Sequence, residues 1–195
     1  MKKFSVVLLI LSVSLLSGGC LGKLAVQSLN NKARQYMNEG KTEEAISRLE
    51  ASIDLDDTIY ETYYNLAIAY MDIDKTDKAQ EALNRVIELN PDFPEAYYVM
   101  AVIYEDNAYS IINGNNANKT EIVSDEGGNV QMKKELSEEE KSKIASDIKS
   151  AVNYYNKYLS KQQNSSDKAK VTAKISTLKS ELVKYDTPDN EEKSN

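Results

Sequence analysis

A chain of 195 residues has room for one domain of ordinary size. Its 24 Lys and Arg against 31 Asp and Glu give a formal net charge of −7 with no basic patch, which argues against nucleic acid as a partner. Histidine is absent and there is a single cysteine, so no internal disulfide and no ordinary His/Cys metal site can form.

The first element is a leader. Met1-Lys2-Lys3 is basic, and Phe4 to Leu16 is apolar except for Ser5, Ser12 and Ser14. The small residues Ser17-Gly18-Gly19 complete a signal-peptide pattern. The apolar run is shorter than the roughly 20 residues that a spanning helix needs. Leu16-Ser17-Gly18-Gly19-Cys20 resembles a bacterial lipobox, with its large apolar residue one place further from the cysteine than usual. That resemblance implies cleavage before Cys20 and lipidation of its thiol. Two or three acyl chains hold a protein firmly at a membrane, at ~0.8 kcal/mol per buried CH₂. Residues 1–19 are therefore expected to be the signal peptide, and 20–25 a lipidated N-terminus and linker. Processing removes two lysines and no acid, and an acidic surface is repelled by anionic lipid, so attachment is expected through the lipid alone. Leu21, in place of Asp, resembles the outer-membrane sorting pattern. It implies the periplasmic face of the outer membrane in a host with two membranes, and the outer face of the cell membrane in a host with one.

Residues 26–185 then carry an internal repeat. Asn30–Asp57 and Tyr64–Pro91 align without a gap at an offset of 34. Ala33 pairs with Ala67, Tyr36 with Tyr70, Met37 with Met71, Ala45 with Ala79, Leu49 with Leu83 and Leu55 with Leu89. A third copy starts in phase with Tyr97, Met100, Ala101 and Tyr104. Within one copy, Tyr63, Leu66, Ala67 and Tyr70 recur at spacings of three and four, which is one face of a helix. The small Ala67 and Ala79 let two helices pack closely. Gly40 suits the turn between helices, where positive φ is easy, and Asp74 takes that place in the second copy with less ease. Tyr63-x-x-Leu66-Ala67-x-x-Tyr70, then Ala79-x-x-x-Leu83, then Pro91 resembles the tetratricopeptide repeat (TPR). The resemblance implies antiparallel helix pairs stacked into a right-handed superhelix with an inner groove. The expected fold is all-α: a TPR-type helix-turn-helix solenoid with an insert in the third repeat and a C-terminal capping helix.

The expected repeats are 26–59, 60–93 and 94–161. The first holds helices at about 26–39 and 42–55, the second at about 60–72 and 76–89. Pro94-Glu95 suits a helix N-terminus, and that helix is expected to end near Ser110. Asn113-Gly114-Asn115-Asn116 has loop composition where a regular repeat would place its second helix. The displaced pattern reappears as Ala151, Tyr155 and Leu159, so an insert covers about 111–136. It reads as a mobile polar loop, with a hairpin of 121–123 and 129–132 around Gly127-Gly128 as the alternative. Ser137-x-x-Glu140 is a capping box opening a long helix of about 138–160. Val171, Ile175, Leu178, Leu182 and Tyr185 give a last helix, 167–185, capped by Ser166 or Asp167, which covers the open face of the stack. Residues 186–195 are expected to be a disordered polar tail.

There is no histidine to serve as a base and no nucleotide-binding loop, and the acid clusters read as a solvated face, so the chain does not read as an enzyme, and neither a cofactor nor a metal is expected. The resemblance places a partner on the groove side of each first helix. By phase these residues are Asn30, Arg34 and Asn38, then Tyr64, Ile68, Met71 and Asp72, then Tyr98, Val102, Glu105 and Asp106. The carboxylate-gripping subset of the family keeps Asn65 here but meets Asn30, Glu95 and Val99 where it needs cations, so that clamp is broken. An acidic rim of Asp72, Glu105 and Asp106 suggests an apolar partner segment with some Lys or Arg. The expected partner is another envelope protein or peptide segment. A self-associating structural lipoprotein and a solute- or cell-wall-binding module are the alternatives.

Overall fold

A computed structural model of the chain describes residues 22–117, 120–123, 129–132, 136–162 and 166–186. The leader, the lipobox with Cys20, the Gly127-Gly128 turn and the tail from 187 lie outside the described residues. In chain order the elements are α1 (22–38), α2 (Thr42–Leu55), α3 (Tyr60–Asp72), α4 (Thr76–Leu89), α5 (Pro94–Ala117), β1 (Thr120–Val123), β2 (Asn129–Met132), α6 (Glu138–Lys161) and α7 (Lys168–Leu182). They form two compact units that divide between Asp92 and Phe93.

The first unit holds α1 to α4. The residues that set the repeat phase are its core: Ala33, Ala45, Leu49, Ala67, Ala79 and Leu83 have no exposed surface. Leu55 departs from its partner Leu89 and is 56% exposed. The chain is already helical at residue 22, four residues before the expected 26, so four of the six residues of the anticipated linker are helical. Lys23, Leu24 and Ala25 are all strong helix formers and nothing there stops the helix.

The two helix turns share one geometry. The Lys41 N–H donates to Tyr36 O at 2.8 Å and the Gly40 N–H to Met37 O at 3.1 Å. The matching bonds run from Lys75 to Tyr70 at 2.9 Å and from Asp74 to Met71 at 3.1 Å. This six-to-one plus five-to-two pattern closes a helix on a left-handed residue. That residue is Gly40 at φ 68° in the first turn and Asp74 at φ 56° in the second.

In the second unit α5 and α6, 24 residues each, run antiparallel. Helix α5 passes the expected end at Ser110 and continues through Asn113-Gly114 to Ala117. Asn costs a helix a few tenths of a kcal/mol and Gly about 1. Pairing along α6 and the half-buried Ile111 and Ile112 outweigh that, so composition misleads here. The expected mobile loop gives way to its alternative: β1 and β2 pair antiparallel, in a register from Thr120 opposite Met132 to Val123 opposite Asn129. The capping box forms as anticipated. The Ser137 N–H donates to Glu140 Oε2 at 2.8 Å, and the Glu140 N–H to Ser137 Oγ at 3.1 Å. Along α6, Ile144, Ile148, Ala151 and Tyr155 are buried, and Tyr158 then takes the core position from Leu159. The four-residue spacing runs ahead of a 3.6-residue turn, so the stripe drifts by one place. Helix α7 covers α6 with Val171, Ile175 and Leu178. Asp167 sits at its N-cap without a side-chain capping bond.

A Cβ at residue 40 would meet nothing within 4 Å, so the cost of adding one there is purely conformational. Gly40→Ala should lower the unfolding free energy by about 1 kcal/mol. Asp74→Gly should raise it by a smaller amount, because glycine's freedom in the unfolded chain offsets part of the relief. Urea titrations of both variants check the pair. A neutral Gly40→Ala would contradict the shared turn geometry.

Candidate functional site

Helix α1 turns Asn31, Arg34, Gln35 and Asn38 onto one face through spacings of three and four. Helix α3 does the same with Tyr64, Asn65 and Ile68. These residues and Met37 line a cleft of about 660 Å³ between the two helices. A second cleft of about 520 Å³ adjoins it, with Asn31, Arg34 and Asn65 common to both. Its other walls are Lys23, Val26, Gln27, Asn30, Asp56, Ile59 and Glu61.

Four of the residues expected in a groove, Arg34, Asn38, Tyr64 and Ile68, thus share the larger cleft. Arg34 Nη2 donates to Asn31 Oδ1 at 2.7 Å, which orients the guanidinium. The Gln35 amide accepts from Lys32 at 3.0 Å and donates to Glu39 at 2.7 Å, so it acts along its own helix. Asn30 lies in the smaller cleft, and its amide ties three helices together. Its Nδ2 is 3.1 Å from Val26 O, 2.9 Å from Ser52 Oγ and 2.9 Å from Thr62 Oγ1. Ser52 and Thr62 have no exposed surface, and Asn30 Oδ1 is buried without a hydrogen-bond partner. Asp72 accepts a 2.5 Å bond from the Thr42 hydroxyl, joining the end of α3 to the start of α2. Met71 is half-buried and belongs to neither cleft.

The remaining expected residues lie in the second unit. Tyr98 packs edge-on against Tyr155 at 5.6 Å and Tyr158 at 5.2 Å between ring centres. Glu105 accepts from the Tyr155 hydroxyl at 2.5 Å and from Lys174 Nζ at 2.6 Å, and Lys174 also reaches the Tyr155 oxygen at 3.0 Å. This triad links α5, α6 and α7. Burial, and then the bond to Glu105, pushes the Tyr155 hydroxyl well above the ordinary tyrosine range. Val102 is half-buried. Asp106 is held above the usual carboxylate range by partial burial and by the Glu105 charge. Sequence reasoning passed over Met37, although its pairing with Met71 at the repeat offset was the available signal. Nothing in the pattern pointed to the Glu105–Tyr155–Lys174 triad. Among the described residues no helix is long and apolar enough to cross a membrane, and no cluster of three or more His, Cys, Asp or Glu is placed to hold a metal.

Comparison with known proteins agrees with this architecture. Residues 36–103 match the tetratricopeptide repeat family model. No curated protein matches the chain. Among solved structures, the TPR domain of Sgt2 from Aspergillus fumigatus is similar at a TM-score of 0.55 and 13% identity, over 87% of this chain and 90% of that one. The first TPR of Spaghetti (RPAP3), bound to an HSP90 peptide, gives 0.52 and 17%, over 82% and 94%. The first TPR domain of human RPAP3 gives 0.51 and 16%, over 83% and 94%. At these identities the likeness shows the fold: an all-α arrangement of the TPR helix-turn-helix type.

Two buried tyrosines make stability pH-dependent. Tyr70 is raised to about 12 by burial and by its bond to Glu50, and Tyr155 is raised further. A phenol with a raised folded value contributes stability that is complete below its unfolded value near 10. That contribution falls as pH rises through the folded value. Unfolding free energy should therefore drop above pH 10, by up to about 1.4 kcal/mol per pH unit for each tyrosine. Tyr155→Phe should remove its share of the slope between pH 10 and 11.5. An unchanged slope in that variant would contradict the triad.

Proposed function

We propose that this protein is a lipid-anchored scaffold that binds a peptide or protein segment in the cleft between α1 and α3, in the cell envelope of a bacterium. The observation that carries the reading is the convergence of Arg34, Asn38, Tyr64 and Ile68 on one cleft. The TPR match over residues 36–103 supports it, as does a solved TPR of the same fold holding an HSP90 peptide. Tyrosine suits such a wall because it offers a broad apolar face with a polar tip. The lipobox-like Leu16–Cys20 supplies the anchor, and the absence of histidine and of a nucleotide loop speaks for binding rather than catalysis. Envelope assembly is the setting we favour.

Tyr64→Ala combined with Ile68→Ala tests the cleft. Both side chains are half-buried, so their removal leaves the alanine-lined core intact. Tyr98 is a poor probe, because truncating it also disturbs the packing on Tyr155 and Tyr158. The double variant should lose at least ~2 kcal/mol of affinity for the partner recovered by pull-down from native membranes, with helicity by circular dichroism unchanged. Full affinity in the double variant would sink the cleft reading.

The anchor has its own test. Cys20→Ser should leave the chain uncleaved, or move it from the detergent phase to the aqueous phase. A wild-type protein that stays aqueous with a free thiol contradicts lipidation.

A further inference from the structure

The charges of the first unit speak to the partner's chemistry. The chain is acidic overall, with a formal net charge of −7. Yet among the described residues the one charged side chain lining the larger cleft is the cation Arg34. Asn31 steers one of its N–H groups, and a guanidinium held this way presents the rest of its planar fork to a carboxylate. In the smaller cleft Lys23 and Arg34 are matched by Asp56 and Glu61. The Asp56 carboxylate already accepts from the Thr58 N–H at 3.0 Å and the Thr58 hydroxyl at 2.6 Å, which lowers its proton affinity. Over the two clefts together Lys23, Arg34, Asp56 and Glu61 balance, while the lining charge of the larger cleft is the single positive one of Arg34, at the junction. Of the acids that suggested a basic partner, Asp72 bonds Thr42, and Glu105 bonds Tyr155 and Lys174.

Beside the cation the wall turns apolar, with Met37, Tyr64 and Ile68 in the same cleft. One helical turn of α1, from Arg34 to Asn38, advances about 6 Å. An extended chain brings side chains two residues apart to one side at about 6.5–7 Å. The two spacings agree. The amides of Asn38 and Asn65 stand on facing helices, and each carries donors and acceptors suited to an extended backbone. Arg34 lies where the two clefts join and not at a closed end, so a bound segment passes it in both directions. The negative group it meets is then a side chain and not a chain terminus.

Resting on the cleft reading above, we infer that the occupant is an internal, extended segment of a partner protein carrying Asp or Glu at Arg34 and an apolar side chain two residues away against Met37, Tyr64 and Ile68. The sign of this preference is opposite to the one that the acidic rim suggested from sequence.

An array of nine-residue peptides, acetylated and amidated so that no terminal charge remains, tests it on the full chain in detergent. The central motif is Asp-x-Leu, Glu-x-Leu, Asn-x-Leu or Lys-x-Leu, and each peptide is also made with a free C-terminus. The capped acidic peptides should bind best, at least tenfold better than the lysine peptide. Arg34→Gln should remove that margin, Arg34→Lys should keep part of it, and Arg34→Glu should turn it towards the lysine peptide. Arg34 is exposed, so these variants should fold as wild type. Binding with no charge preference, or only with a free C-terminus, but still lost in Tyr64→Ala with Ile68→Ala, overturns this inference and leaves the cleft reading standing. Binding that survives the double variant overturns both. No binding by any capped peptide overturns the inference.

Discussion

Alanine at the helix crossings governs the geometry of the first unit. Ala33, Ala45, Ala67 and Ala79 have no exposed surface, and each sits on the stripe that faces a neighbouring helix. A side chain without atoms beyond Cβ brings helix axes close and leaves no void to fill. A larger residue in such a packed site typically costs 1–3 kcal/mol through strain. With the alanine stripe committed inward, the side chains a third of a turn away on α1 and α3 are held at the surface in a fixed register. The clefts follow from that register, because Arg34, Asn38, Tyr64 and Ile68 have nowhere else to point.

The polar groups divide into those that build and those that remain for a partner. Asn30, Ser52 and Thr62 form a small polar node between α1, α2 and α3, and each of them is fully or partly buried. Buried amides and hydroxyls need such partners, since an unmade hydrogen bond costs about 1–3 kcal/mol. Glu105, Tyr155 and Lys174 play the same part in the second unit, with a charge included. These groups stabilise helix contacts, so their side chains have little left to offer a ligand. Arg34 differs. It is exposed, its bond among the described residues runs to the nearby Asn31, and it borders both clefts.

Much of this was legible in the residues themselves. The repeat phase could be read because packing demands the same small and large side chains at the same places in each copy. The left-handed turn at Gly40, and its harder version at Asp74, followed from backbone sterics alone. The Ser137–Glu140 box was readable because both partners are local. What could not be read depended on distant contacts. The loop-like Asn113-Gly114 stretch is helical because α6 lies alongside α5. Phase put Asn30, Asp72 and Glu105 on a groove face, but the choice of rotamer, and so of hydrogen-bond partner, rests with residues 22 to 69 positions away.

The central claim is that a partner segment occupies the cleft between α1 and α3. Site-specific photo-crosslinking in living cells tests it most directly. A photoreactive residue in place of exposed Asn38, inside the cleft, should give a discrete adduct with one partner protein. The same residue in place of Arg48 or Glu81, exposed on α2 and α4 and outside both clefts, should give none. Adducts from Arg48 or Glu81 but not from Asn38 would contradict the account.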